Sequence, residues 1–136
     1  LKTSVKKNVE WINKYKIFFI TSYSTNALNP PAPILGVPND ICTETFLVIG
    51  PFDKKEEQVY CLKYIDTKCF KFLLYCGRGT MQVSQDVFRF VPLQDFTSQS
   101  DIDWSVSIPE IDEQLYQKYG LSDDEISFIE KMIKPM

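Results

Sequence analysis

The feature that most constrains this chain is the apolar run between Asp53 and Gly77. Val59, Leu62, Ile65, Cys69, Phe72 or Leu73, and Cys76 recur three and four residues apart, the spacing that lines one face of an α-helix. Lys63, Thr67 and Lys71 fall on another face. Asp53 and Glu56 stand at capping-box spacing before the run, and Gly77 and Gly79 follow it, so start and stop signals bracket one long helix. A helix with a single apolar stripe has to cover something, and the remaining sequence has to supply it.

That something reads as a small sheet. Ile17, Phe18, Phe19 and Ile20 are bulky or β-branched and give way to the short polar run Ser22 to Asn26, a strand with a turn-forming end. Thr43 to Ile49 alternates and is closed by Gly50-Pro51, and Val87, Arg89 and Val91 alternate with Phe88 and Phe90 before Pro92, so both runs are predicted as strands. Val5, Val9 and Ile12 fit a helical stripe running to about Tyr15. Prolines 30, 31, 33 and 38 with Gly36 mark a long loop from about Asn26 to Asp40, a length that is uncommon without a function. Gln94 to Ser107 reads as irregular. Ser107 with Glu110, and Ser122 with Glu125, open two short helices joined through Gly120-Leu121, with Ile111, Leu115 and Tyr119 on the first stripe. The expected fold is α+β: a small mixed sheet packed against one long helix, with a C-terminal helical hairpin. Residues 1–106 form the α/β part and residues 107–136 the hairpin, as one structural unit.

Composition narrows the chemistry. The 136 residues contain no histidine, the side chain most used for proton transfer near neutral pH. Cys42, Cys61, Cys69 and Cys76 form no CxxC pair, so neither a zinc site nor a disulfide framework is expected, and free thiols suit a reducing cytoplasm. Apolar stretches such as Ile17 to Ile20 are far short of the roughly 20 residues of a membrane span. Leu1 stands where a start methionine would, without a leader pattern, which reads as a piece cut from something longer. The expectation is a cytoplasmic, non-membrane domain without a catalytic site, metal or cofactor of its own.

Charge is unevenly spread. Residues 58–91 carry Lys63, Lys68, Lys71, Arg78 and Arg89 against Asp66 and Asp86, a surplus of three cations, whereas residues 95–136 carry ten carboxylates against three lysines. A polyanion would meet the middle and avoid the end. Lys68, Lys71 and Arg78, with Thr80 in the same turn as Arg78, are the candidates for docking phosphate, Gln82, Ser84, Gln85 or Asn26 could hydrogen-bond base edges in the major groove, and Tyr23, Ser24 and Arg89 complete the candidate DNA-binding residues.

Two catalytic motifs are approached and missed. Asn29-Pro30-Pro31-Ala32 matches three positions of the Asn-Pro-Pro-aromatic tetrapeptide of adenine-N6 methyltransferases, but Ala32 has no ring to stack on a flipped base. Asp40 with Asp66-Thr67-Lys68 matches the Asp…(Asp/Glu)-x-Lys spacing of metal-dependent nucleases. On a helix, however, Asp66 and Lys68 diverge by about 200°.

Longer strings carry a resemblance. They are Trp11-Ile12-Asn13-Lys14-Tyr15-Lys16, the run from Ile41 to Gly50, Thr67 to Leu74, Asp86-Val87-Phe88-Arg89-Phe90-Val91-Pro92-Leu93-Gln94-Asp95-Phe96, and Ile111 to Leu121. From about Val9 onward the chain resembles the C-terminal specificity region of bacterial restriction-modification proteins that fuse an adenine-N6 DNA methyltransferase to a target-recognition domain, the type IIG-like class. Residues 56–92 resemble, less closely, the recognition domains of type I specificity subunits. The resemblance implies a module that reads double-stranded DNA beside the methyltransferase domain of the same chain. S-adenosylmethionine and the catalytic tetrapeptide are then expected in an N-terminal part, and a nuclease is an optional attachment. It supplies no residue-level base contacts. The rival expectation is an interaction module whose acidic hairpin docks onto a methyltransferase or nuclease partner.

Overall fold

The computed structural model describes residues 8–134 and is α+β. Its three strands are β1 (Tyr15–Ile20), β2 (Ile34–Gly36) and β3 (Phe46–Phe52), in the order β2-β1-β3. Both pairings are antiparallel, so the sheet is not mixed. Its helices are α1 (Lys55–Ile65), α2 (Lys68–Gly77), α3 (Ile108–Lys118) and α4 (Asp123–Met132), with 3₁₀ helices at Val9–Asn13 and Gln85–Phe90. The helix expected to reach Tyr15 is thus a 3₁₀ turn ending at Asn13, and its Val5 position lies outside the described residues.

β1 is the buried middle strand. Ile17 and Phe19 face the helices with no exposed surface, while Lys16 and Phe18 lie on the other face. The Lys16 ammonium is also buried, and it donates to the carbonyls of Trp11, Ile12 and Lys14 at 3.0–3.1 Å. In this way it collects the open end of the first 3₁₀ helix. From α1 the buried Gln58 amide donates to the carbonyls of Lys16 and Gly36, bolting the short edge strand β2 to the middle one. β3 begins later than predicted and runs through Gly50-Pro51, whose peptide is cis. A proline is tolerated there because β3 is an edge strand.

The predicted long helix is two helices. At Thr67 the backbone is extended, and the hydroxyl donates to Tyr64 O (2.6 Å) while accepting from Phe70 N (3.1 Å). One side chain therefore closes α1 and caps α2. Two chain segments away, the carboxylate of Asp112 on α3 accepts from the Lys68 and Cys69 amides, each at 2.9 Å. The break also rotates the buried faces, which are Gln58, Cys61, Tyr64 and Ile65 on α1 and Cys69, Phe70, Lys71, Leu74 and Gly77 on α2. The expected capping box at Asp53 does not form. Lys54 is the N-cap, and Asp53 pairs instead with Lys14.

The predicted strand at Val87 to Val91 is the second 3₁₀ helix. Val87 is buried and its neighbour Phe88 also turns inward, edge-on to Phe19 at 5.7 Å between ring centroids. Adjacent inward side chains are incompatible with strand alternation. The hairpin forms as expected: Ser107 caps α3, Ser122 and Glu125 make a full capping box on α4, and Gly120 takes the left-handed conformation between them. Residues 91–107 are irregular but pinned. Buried Trp104 donates from its indole to Asp95 O and the Ser100 hydroxyl, and buried Gln94 donates to the Tyr119 hydroxyl and accepts from Lys118.

Candidate nucleic-acid interface

The end of β1 and the turn after α2 meet through backbone contacts. Tyr23 N donates to Met81 O, Val83 N donates to Thr21 O at 2.6 Å, and Ser22 and Gln82 form an isolated antiparallel bridge. Arg78 locks this junction. Its guanidinium lies 3.7 Å from the centre of the Tyr23 ring and donates to the carbonyls of Tyr23 (2.7 Å), Ser24 (3.1 Å), Thr80 and Met81 (both 3.3 Å). An arginine spread over four carbonyls and a ring is anchored from two segments at once. Burial pushes the Tyr23 phenol above its ordinary range, and the adjacent Arg78 works against that rise.

Six of the predicted residues are brought together here: Tyr23, Ser24, Asn26, Arg78, Thr80 and Gln82. The hydroxyls and amides of Ser24, Asn26, Thr80 and Gln82 belong to exposed residues. Gln85 and Arg89, on the second 3₁₀ helix, adjoin them through Gly77: Arg89 donates to Gly77 O at 2.9 Å, to Asp86 O, and to the Asp86 carboxylate. Its guanidinium covers the Phe90 ring at 4.8 Å.

Lys68 and Lys71 do not join them. Lys71 is only 7% exposed and its ammonium pairs with Asp66 at 2.9 Å. Lys68 pairs with Glu130 of α4. Both were expected to meet phosphate. The break at Thr67 turns Lys71 inward and brings Lys68 beneath the hairpin, so these two cations are committed to internal ion pairs. Lys71 also borders an apolar cleft of about 360 Å³ that Pro30, Pro33, Leu62, Ile65 and Ile108 help to line.

Sequence reasoning missed two apolar side chains at this surface. Met81, between Thr80 and Gln82, is 56% exposed, and Phe90 is 51% exposed. No local pattern marks them, because an alternating strand would have placed Phe90 in the sheet.

The residues of the two near-miss motifs hold structural posts. Asn29 donates to Lys134 O at 3.2 Å. Asp40 accepts from Val37 N, and Asp66 and Lys68 have the partners just given. Among the described residues, no group of three or more Cys, Asp or Glu side chains converges as a metal site. Burial pushes the thiols of Cys61 and Cys69 up to about 12, leaving little nucleophilic thiolate near neutral pH. Among the described residues, no helix is long and apolar enough to cross a membrane. Comparison with protein-family models, with curated proteins and with solved structures finds no match to this chain.

Proposed function

We propose that this chain is the DNA target-recognition module of a restriction-modification adenine-specific methyltransferase, positioning a catalytic domain that binds S-adenosylmethionine elsewhere. The observation that carries this reading is the Arg78 junction. It holds two chain segments in register and leaves hydroxyl and amide side chains of both facing solvent. Such groups, fixed on a rigid support, are what base-edge readout requires. Arg78 acts in this scheme by positioning its neighbours, and Arg89, whose pair with Asp86 lies at the surface where that of Lys71 is buried on the lysine side, is the cation placed to meet phosphate.

With so few available cations the isolated chain should bind duplex DNA weakly, with a Kd of roughly 10⁻⁴ to 10⁻⁶ M at physiological salt. Fluorescence anisotropy over a salt series tests this. Replacing Arg89 with Ala should flatten the slope of log K against log salt by about one. Replacing Arg78 with Ala should lower affinity while leaving the slope unchanged. Absence of salt-dependent binding even at low ionic strength would reject the proposal.

The rival docking role is favoured by one observation: α4 exposes Phe128 one turn after Asp124, on a helix whose first turn also carries the exposed Asp123. Asp123→Lys with Asp124→Lys should abolish capture of a methyltransferase or nuclease partner under that reading and leave DNA affinity undiminished.

A further inference from the structure

We infer that Met81 is a wedge that enters the base stack of bound duplex DNA, an inference that rests on the DNA-recognition reading above. Three observations carry it. The thioether is 56% exposed although its neighbours on both sides are polar. Its backbone is not a loose loop tip, since Met81 O accepts from Tyr23 N at 3.2 Å and from the Arg78 guanidinium at 3.3 Å. Finally, the occupant has to match the surroundings. Between Cys76 and Gln94 the charges are Arg78, Arg89 and Asp86, and Asp86 is held by Arg89. Met81 thus shares its segment with the exposed polar residues Thr80, Gln82 and Gln85, and the Arg78 guanidinium that holds its carbonyl also holds that of the exposed Ser24 across the junction. A partner that offers stackable apolar planes, polar edges and negative charge together is a nucleic acid.

Apolar wedges of this type, methionine among them, part a base step at a cost of a few kcal/mol and kink the duplex. Pyrimidine–purine steps yield most readily. Methionine suits the task because its unbranched, polarisable chain adapts to the opened step. Phe90 is the internal comparison. It is similarly exposed, but it stands at the end of a 3₁₀ helix with one ring face already covered by Arg89.

The test uses the whole 136-residue chain at low salt and a duplex of alternating TpA steps with 2-aminopurine at a central adenine. Anisotropy reports binding and 2-aminopurine emission reports unstacking. Binding of the unmodified chain should raise emission at least about two-fold. Met81→Ala should remove the rise while weakening binding less than about ten-fold, Met81→Leu should keep it, and Phe90→Ala should leave it intact. Binding without an emission rise, or a rise that survives Met81→Ala, overturns the wedge and leaves the DNA reading standing. No binding at all overturns the DNA reading itself.

Discussion

Asp112 is a buried carboxylate whose hydrogen bonds come from backbone. It is 3% exposed and receives the first two amides of α2, Lys68 N and Cys69 N, one on each oxygen. A helix start favours negative charge there. Burial nevertheless dominates and raises the carboxyl above its ordinary value, the two amides opposing it and Glu130 reinforcing it. Since its native pKa lies above the unfolded one, the native state binds more protons over the interval between the two values. The stability that Asp112 contributes is therefore greatest below the unfolded value of about 3.9, falls as pH rises through the native pKa, and is constant beyond it. Asp112→Ala leaves two buried amides without acceptors and should cost about 2–4 kcal/mol. Urea denaturation of both proteins across a pH series checks this, and the gap between them should be wider near pH 4 than near pH 7. A gap that widens toward neutrality would contradict the direction of the shift.

Among the elements, the second 3₁₀ helix owes its position to what α2 lacks. A Cβ on Gly77 would overlap the carbonyl of Val87, a backbone group that cannot swing aside, whereas a Cβ on Gly79 would meet nothing. Gly77→Ala must push the 3₁₀ helix outward and lift Phe88 off Phe19 and Phe70, at a cost of about 3 kcal/mol. Gly79→Ala should stay within about 0.5 kcal/mol of the parent. Chemical denaturation with near-ultraviolet circular dichroism of the aromatic core distinguishes the pair. This element also marks the limit of what is legible in the sequence. β1 and the hairpin were readable because their signals are local, a bulky apolar run in one case and Ser-x-x-Glu starts before a terminal glycine in the other. The break at Thr67 was hidden by an apolar stripe that continues across it, and the acceptor supporting the new helix start comes from Asp112, far along the chain. Gly77 reads as a helix terminator, but its actual constraint is a long-range backbone approach. The candidate interface follows the same rule: composition marks the polar residues of Ser22 to Asn26 and Arg78 to Gln85 as candidates. That Lys71 is buried and Arg78 is spent on carbonyls depends on contacts between segments.

For the whole molecule, the question is whether the hairpin is an appendage or part of the fold. Ile111, Leu115, Tyr116 and Ile129 belong to the same buried cluster as Ile17, Phe19, Tyr64, Phe70 and Trp104. Beyond that core, polar ties run both ways: Asp112 caps α2, Glu130 takes Lys68, and Gln94 donates to the Tyr119 hydroxyl and accepts from Lys118. The acidic half and the cationic half are therefore held by one interior, and the carboxylates that remain outside it repel a polyanion from that end. A chain ended at Val106 would expose the apolar side of α1 and α2 and strand the Lys68 and Cys69 amides. It should lose the cooperative unfolding transition that the 136-residue chain is expected to show, rather than melt as a smaller independent domain. Thermal unfolding followed by circular dichroism and calorimetry decides between these outcomes: a sharp transition in the truncated chain would make the hairpin a separable attachment and would free its apolar face for a partner.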